Sequence, residues 1–161
     1  MANNRIIIEK AQSSDVDELY LLMRECFEKH KDIDEYSNPY YITKERILFN
    51  IKYPYGSFLK IVIDSKIIGG MFYYFIDESV DKIHIDHIFI KPNYQHQGYG
   101  KQLFNYLFIN NKDVKEYHLD YVKIDKDVEL FYQSLGFIKE LVEIDHNYEF
   151  VTAYKIVSNG L

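Results

Sequence analysis

One cysteine, Cys26, and no tryptophan occur among the 161 residues. A lone cysteine excludes a disulfide within the chain, and its place in a helical pattern suits a buried thiol better than a nucleophile. No apolar run reaches the roughly 20 residues that a membrane helix requires, and no basic stretch leads into an apolar one near the N-terminus. The expectation is a cytoplasmic protein with no membrane partner. An excess of cations is lacking too: 19 Lys and Arg stand against 25 Asp and Glu, for a formal net charge of -6. Nucleic-acid binders gather Lys and Arg on one face, so no nucleic-acid partner is expected either. The acidity is compatible with a cationic substrate, but ordinary solubility is its commoner cause. Internal repeats, low-complexity tracts and Gly/Ser linkers are missing, so residues 1–161 read as a single domain with room for a substantial core.

Aromatic residues, by contrast, are abundant, with 16 Tyr and 11 Phe, and most of these rings belong in the core. Residues 5–10 form a β-branched run and read as a strand. Ser13-Ser14-Asp15 offers capping chemistry ahead of Val16, Leu19, Tyr20, Met23 and Phe27, whose spacing gives a helix ending near His30. Residues 31–41 carry Asp32, Asp34, Glu35, Asn38 and Pro39, a loop composition, and Thr43 then opens a second helix. Residues 58–64 and 66–76 form a hairpin about Asp64-Ser65-Lys66, and residues 82–90 a strand stopped by Pro92. Leu103, Phe104, Leu107 and Phe108 mark an amphipathic helix, followed by a strand at 117–122. A short helix at 127–135 is closed by Gly136, and residues 150–157 form a last strand. The order strand, helix, helix, three strands, helix, strand, helix, strand fits an α+β protein with a mixed sheet covered by helices.

Most of the chemical information lies in Gln95-His96-Gln97-Gly98-Tyr99-Gly100, between a strand and a helix. Glycines let backbone approach a ligand closely, and the amides of a helix start present donors and a positive dipole end to phosphate. A dinucleotide fingerprint would need a third glycine where Leu103 stands, and a Walker A loop would need Gly-Lys-Ser/Thr; neither is present. Taken alone, the turn could still serve only to fold the chain. Metal-ligand spacings such as His-Glu-x-x-His are lacking, so no metal is expected; six His are present, but strand alternation sends His87 away from His84 and Asp86.

The segment from Ile88-Phe89-Ile90-Lys91-Pro92 through Gly100 resembles the acetyl-CoA signature of the GNAT N-acetyltransferase superfamily, an apolar strand and Pro ahead of Arg/Gln-x-x-Gly-x-Gly/Ala. Downstream, Val128-Glu129-Leu130-Phe131-Tyr132-Gln133-Ser134-Leu135-Gly136-Phe137 is similar to the family's Ala-x-x-Leu-Tyr-x-x-x-Gly-Phe helix end, with Val128 replacing the usual Ala. The resemblance implies a mixed α/β (α+β) fold, with a mostly antiparallel sheet splayed at the cofactor site and flanked by helices. It implies acetyl-CoA as co-substrate, with pantetheine against the backbone of the strand segment Ile88, Phe89 and Ile90. Pyrophosphate would lie on the amides of Gln95, His96, Gln97, Gly98, Tyr99, Gly100 and Lys101. Asp125 stands where many members carry an Asn that touches the pantetheine arm.

By the same resemblance the acceptor is a primary amine, which must lose a proton before attacking the thioester, by direct transfer in a ternary complex. Tyr132 matches the tyrosine that protonates the departing thiolate; packing among Phe131 and Leu135 is the other reading of the same residue. Asp86 and His84 match positions that carry a carboxylate or histidine in several small-amine members and are the candidate bases; a hydrogen-bonded pair at a strand end would look the same. A small cationic, polyamine-like amine is the expected acceptor, which Asp32, Asp34 and Glu35 could attract. A protein N-terminal or lysine acetyltransferase and a non-catalytic acyl-CoA-binding sensor are the alternatives. A homodimer is expected from the frequency of two-fold assembly.

Overall fold

A computed structural model describes residues 5–33, 38–145 and 148–157. Strand β1 (Ile6–Lys10) leads through a single-turn helix at Ser13–Asp15 into α1 (Val16–Phe27), with a further turn to His30. Within the expected capping segment Ser13-Ser14-Asp15, Asp15 precedes α1, and its carboxylate accepts from the Gln12 amide at 2.7 Å and pairs with the Lys60 ammonium at 2.8 Å. Helix α2 (Lys44–Lys52) starts where Thr43 Oγ1 accepts from the Arg46 amide at 3.1 Å. Asp64 and Ser65, with φ of 49° and 65°, join β2 (Gly56–Ile63) to β3 (Lys66–Phe75). Two successive left-handed residues match the twist of a tight hairpin. Then follow β4 (Lys82–Ile90), α3 (Tyr99–Asn110), β5 (Glu116–Val122), α4 (Lys126–Ser134), β6 (Ile138–Asp145) and β7 (Tyr148–Ile156).

Among the described residues the strands form one seven-stranded sheet in the order β1-β2-β3-β4-β5-β7-β6. It is mixed and mostly antiparallel, with β4 and β5 parallel over Lys82–Ile85 and Glu116–Leu119. The four helices and this sheet match the expected fold class.

Strand β6 is the element that sequence patterning misses. Its apolar residues Ile138, Leu141, Val142 and Ile144 break the two-residue alternation, and all four side chains are exposed. The ladder to β7 shifts register between Lys139 and Leu141. A bulge inserts an extra residue, so the residues before and after it fall out of the two-residue phase and the alternating signature is erased.

The chain divides into two compact units, one of residues up to 73 with 87–110, the other of residues 74–86 and 111 onward. The first unit packs Leu19, Met23, Ile47, Phe58, Ile61, Met71, Phe89, Leu103, Phe104 and Leu107 into a core. Cys26 is buried there, and burial pushes its thiol up to about 12, so the sulfur stays protonated and unreactive at neutral pH. The core of the second unit holds Ile83, Ile85, Tyr117, Leu119, Tyr121, Tyr132, Phe137 and Val151.

Within the first unit, Gly69 and Gly70 let β3 approach its neighbours more closely than any side chain permits. A Cβ at Gly69 would lie 2.5 Å from the Phe89 carbonyl oxygen, and one at Gly70 would lie 2.7 Å from the Leu59 oxygen and 2.8 Å from the Phe89 ring. Phe89 also packs against Phe27 and Phe58, with ring centroids 6.3 and 6.2 Å away. Backbone oxygens cannot swing aside as side chains do, so Gly69→Ala should destabilise the protein by about 1–3 kcal/mol, on the scale of other overpacking substitutions. Urea denaturation checks this, and an unchanged midpoint would show that β3 and β4 separate freely.

Candidate active site

In the first unit, β4 ends at Ile90 and Pro92–Tyr94 makes a single helical turn. Gln95 is extended, and His96 and Gly98 then take φ of 60° and 88°. Left-handed residues in such a turn give the conformation in which successive amides can converge on an anion. Side chains brace the turn. Gln95 Nε2 donates to the Ile90 oxygen and Gln97 Nε2 to the Asn93 oxygen, each at 3.0 Å. Residues 95–98 are exposed. The Gln102 amide makes the first helical bond, to the Gly98 oxygen at 3.1 Å, so the amides of the first turn of α3 have no partner one helical turn back.

Gly98 therefore differs from Gly69 and Gly70. A Cβ there would meet nothing within 4 Å, and glycine is required by φ alone. Tyr94 and Tyr99 flank the turn with rings 6.1 Å apart. Ile88 and Ile90 are half-buried and lie past the last β4–β5 pair, whereas the Phe89 side chain belongs to the core, leaving only its backbone for a ligand. Gly100 is half-buried and Lys101 exposed, both in the first turn of α3.

In the second unit, His84 lies on the same sheet face as a polar row from β5. The register sets His84 opposite His118, and alternation puts Glu116 and Asp120 on that face as well. His84 Nε2 is 3.7 Å from Asp120 Oδ2, and His118 Nε2 is 3.1 Å from Glu116 Oε2. The Tyr74 ring lies 5.2 Å from that of His84. Burial lowers the His84 pKa, against the smaller upward pulls of Asp120 and Asp86. Burial raises the pKa of Asp120, which His84 partly offsets. Asp86 itself is exposed. Among the described residues no group of three His, Cys, Asp or Glu is placed to hold a metal ion.

Tyr132 is 7% exposed and ringed by Tyr121, Phe131 and Phe137 at 5.4, 5.5 and 6.0 Å. Burial, reinforced by Asp125 and Tyr121, pushes its pKa up. Its helix is fixed at both ends. The Asp125 carboxylate caps α4 by accepting from the Val128 amide at 3.3 Å, and Lys155 Nζ donates to the Leu135 oxygen at 2.6 Å. Asp125, expected on the pantetheine wall, thus has a structural partner of its own.

Of the acidic loop residues, Asp32 is described, whereas Asp34 and Glu35 lie outside the described residues. Asp120 was missed by sequence reading. Its signal was present in the alternation Glu116, His118, Asp120 between Tyr117, Leu119 and Tyr121, which marks one polar and one apolar face.

A family model described as an acetyltransferase (GNAT) domain matches residues 54–139. Among solved structures, a PaiA N-acetyltransferase from Thermoplasma acidophilum in complex with coenzyme A is 23% identical, with a TM-score of 0.73 over 92% of this chain and 98% of that one. The ribosomal-protein-S18-alanine N-acetyltransferase from Escherichia coli is 14% identical, with a TM-score of 0.78 over 98% and 99%. Ard1 from Thermoplasma volcanium is 15% identical, with a TM-score of 0.78 over 96% and 99%. At these identities the likeness concerns the fold. Comparison with curated proteins gives no match.

A valine at Gly98 would have to take a left-handed φ that β-branched residues resist and would put methyl groups beside the amides of the turn. Gly98→Val should abolish acetyl-CoA binding in titration calorimetry while the far-ultraviolet circular dichroism stays native. Retention of wild-type affinity would remove the turn from the cofactor site.

Proposed function

Because the chain belongs to the GNAT family of acetyl-CoA-dependent N-acetyltransferases, we propose that its acceptor is a primary amine on a small cationic, polyamine-like molecule, acetylated by direct transfer in a ternary complex. The observation that carries this reading is the grouping of the His84 imidazole with Asp86 and Asp120 on one sheet face. Carboxylates draw in a cation, and an imidazole kept neutral by burial can accept its proton. The net charge of -6 adds long-range attraction of the same sign.

The roles follow from the chemistry. An alkylammonium with a pKa of about 10.4 must release a proton before its nitrogen can attack. His84 and Asp86 are the candidate acceptors of that proton. The nitrogen lone pair then forms the bond to the thioester carbonyl carbon, and collapse of the tetrahedral intermediate breaks the carbon–sulfur bond. Tyr132 is the assigned donor to the departing thiolate. Its raised pKa keeps the phenol loaded at neutral pH, and desolvation makes a thiolate a stronger base as well, so the two shift together. The amides from Gln95 to Lys101 hold pyrophosphate and the backbone of Ile88 and Ile90 holds pantetheine, with Asp125 near that arm. We assign both units to one catalytic domain, since the matched segment 54–139 runs through each. A cytoplasmic location and a homodimer complete the reading.

Thiol release from acetyl-CoA, measured across a panel of polyamines, amino-terminal peptides and lysine peptides, should be fastest with the polyamines. Preference for a peptide would move the acceptor to a protein amino terminus or lysine, and binding without release across the panel would indicate a sensor. In Tyr132→Phe, kcat should fall by about 100-fold or more with acetyl-CoA affinity held. Full turnover with a chemistry-limited amine would return Tyr132 to packing.

A further inference from the structure

His84 is held from two directions. Its ring plane lies at 33° to that of Tyr74 from β3, and its Nε2 edge faces Asp120 from β5 at 3.7 Å. A neutral imidazole carries one proton, and a carboxylate beside one nitrogen favours the tautomer with the proton on that side. We propose that Asp120 is the positioning residue for His84, fixing its proton on Nε2 and leaving the Nδ1 lone pair to take the proton of the acceptor ammonium.

This rests on the assignment of His84 as a base. In the step itself one ammonium N–H bond breaks and an Nδ1–H bond forms. The imidazolium later returns that proton to solvent, so nothing is oxidised or reduced. The His84 side chain is 17% exposed, and a cation formed there needs compensation. Asp120 supplies it. Its own side chain is 48% exposed, so water shares in stabilising its charge, and His84 offsets part of the upward push of burial. A separation of 3.7 Å is an ion-pair distance, longer than a hydrogen bond, as expected of a pair that tightens when the ring gains charge.

The other groups facing the pair set the direction of the pH response. Asp86 on β4 supports a charged His84, and His118 on β5 opposes it. Glu143 on β6, which β7 separates from β5, raises the Asp120 pKa by like charge. Tyr74 contributes its ring face. Activity through His84 is lost as pH falls through the imidazole pKa, because the protonated ring cannot act as a base. Asp120 raises that pKa, so removing its charge moves the acid limb to lower pH.

The test combines nuclear magnetic resonance titration of His84 in the ligand-free protein with pH profiles of kcat/KM for the fastest amine of the panel. In Asp120→Asn the His84 pKa and the acid limb should both move down by about one unit or more. The maximal kcat should drop roughly tenfold with KM little changed, the scale for losing a carboxylate that orients a histidine. Asp120→Glu, which keeps the charge, should restore both positions. If His84→Gln abolishes turnover while Asp120→Asn leaves the imidazole pKa and the acid limb unmoved, this proposal fails and the base assignment stands. If His84→Gln keeps full turnover, the base assignment falls and the proposal with it.

Discussion

Backbone proximity around Gly69, Gly70 and Phe89 is the constraint on which the strand end and the turn that follows it depend. With no side chains on two successive residues of β3, the Phe89 oxygen and ring come within distances that a Cβ would forbid. The Lys91 amide then closes on the Ile68 oxygen at 2.7 Å, fixing the point at which β4 ends. From that point the path of the chain has little freedom. Pro92 sets the next backbone angle, Gln95 and Gln97 tie the turn to the Ile90 and Asn93 carbonyls, and His96 and Gly98 take left-handed angles. The turn is thus fixed by the protein's own bonds, and in a binding turn such fixing lowers the ordering cost.

A different principle organises the second unit. There the sheet face carries ionisable groups from neighbouring strands instead of a covering layer of apolar side chains. The strands contribute one to three each: His84 and Asp86 from β4, Glu116, His118 and Asp120 from β5, and Glu143 from β6. Such a face is costly unless its members compensate one another. The opposing shifts of His84 and Asp120 show that burial dominates the imidazole and that the carboxylate gives part of that cost back.

Much of this was legible in the sequence. The Gln95–Gly100 turn, the bounds of β4, the helix that ends at Gly136 and the candidates His84, Asp86 and Tyr132 all follow from spacing, glycine placement and family resemblance. Two features were not legible, for different physical reasons. Strand β6 carries a bulge, and its apolar residues are exposed, so neither alternation nor burial marks it. Asp120 alternates correctly, but its place beside His84 comes from the parallel register of β5 against β4, and register between distant strands leaves no local trace. The Tyr132 motif was visible while its enclosure by three aromatic rings was not, since that depends on β5 and on the chain after Gly136.

Strand β6 also bears on how the protein behaves in crowded solution. It is the outermost strand of the sheet and its apolar side chains face outward, the situation in which one chain can recruit another by strand pairing. Lys139, Glu140 and Glu143 interrupt the apolar residues, and the bulge beside Lys139 twists the strand out of a flat template. These charges act as gatekeepers. A descendant of this sequence that lost them would keep its glycine turn intact and be selected against by aggregation, so part of the sequence is set by what the protein must avoid doing.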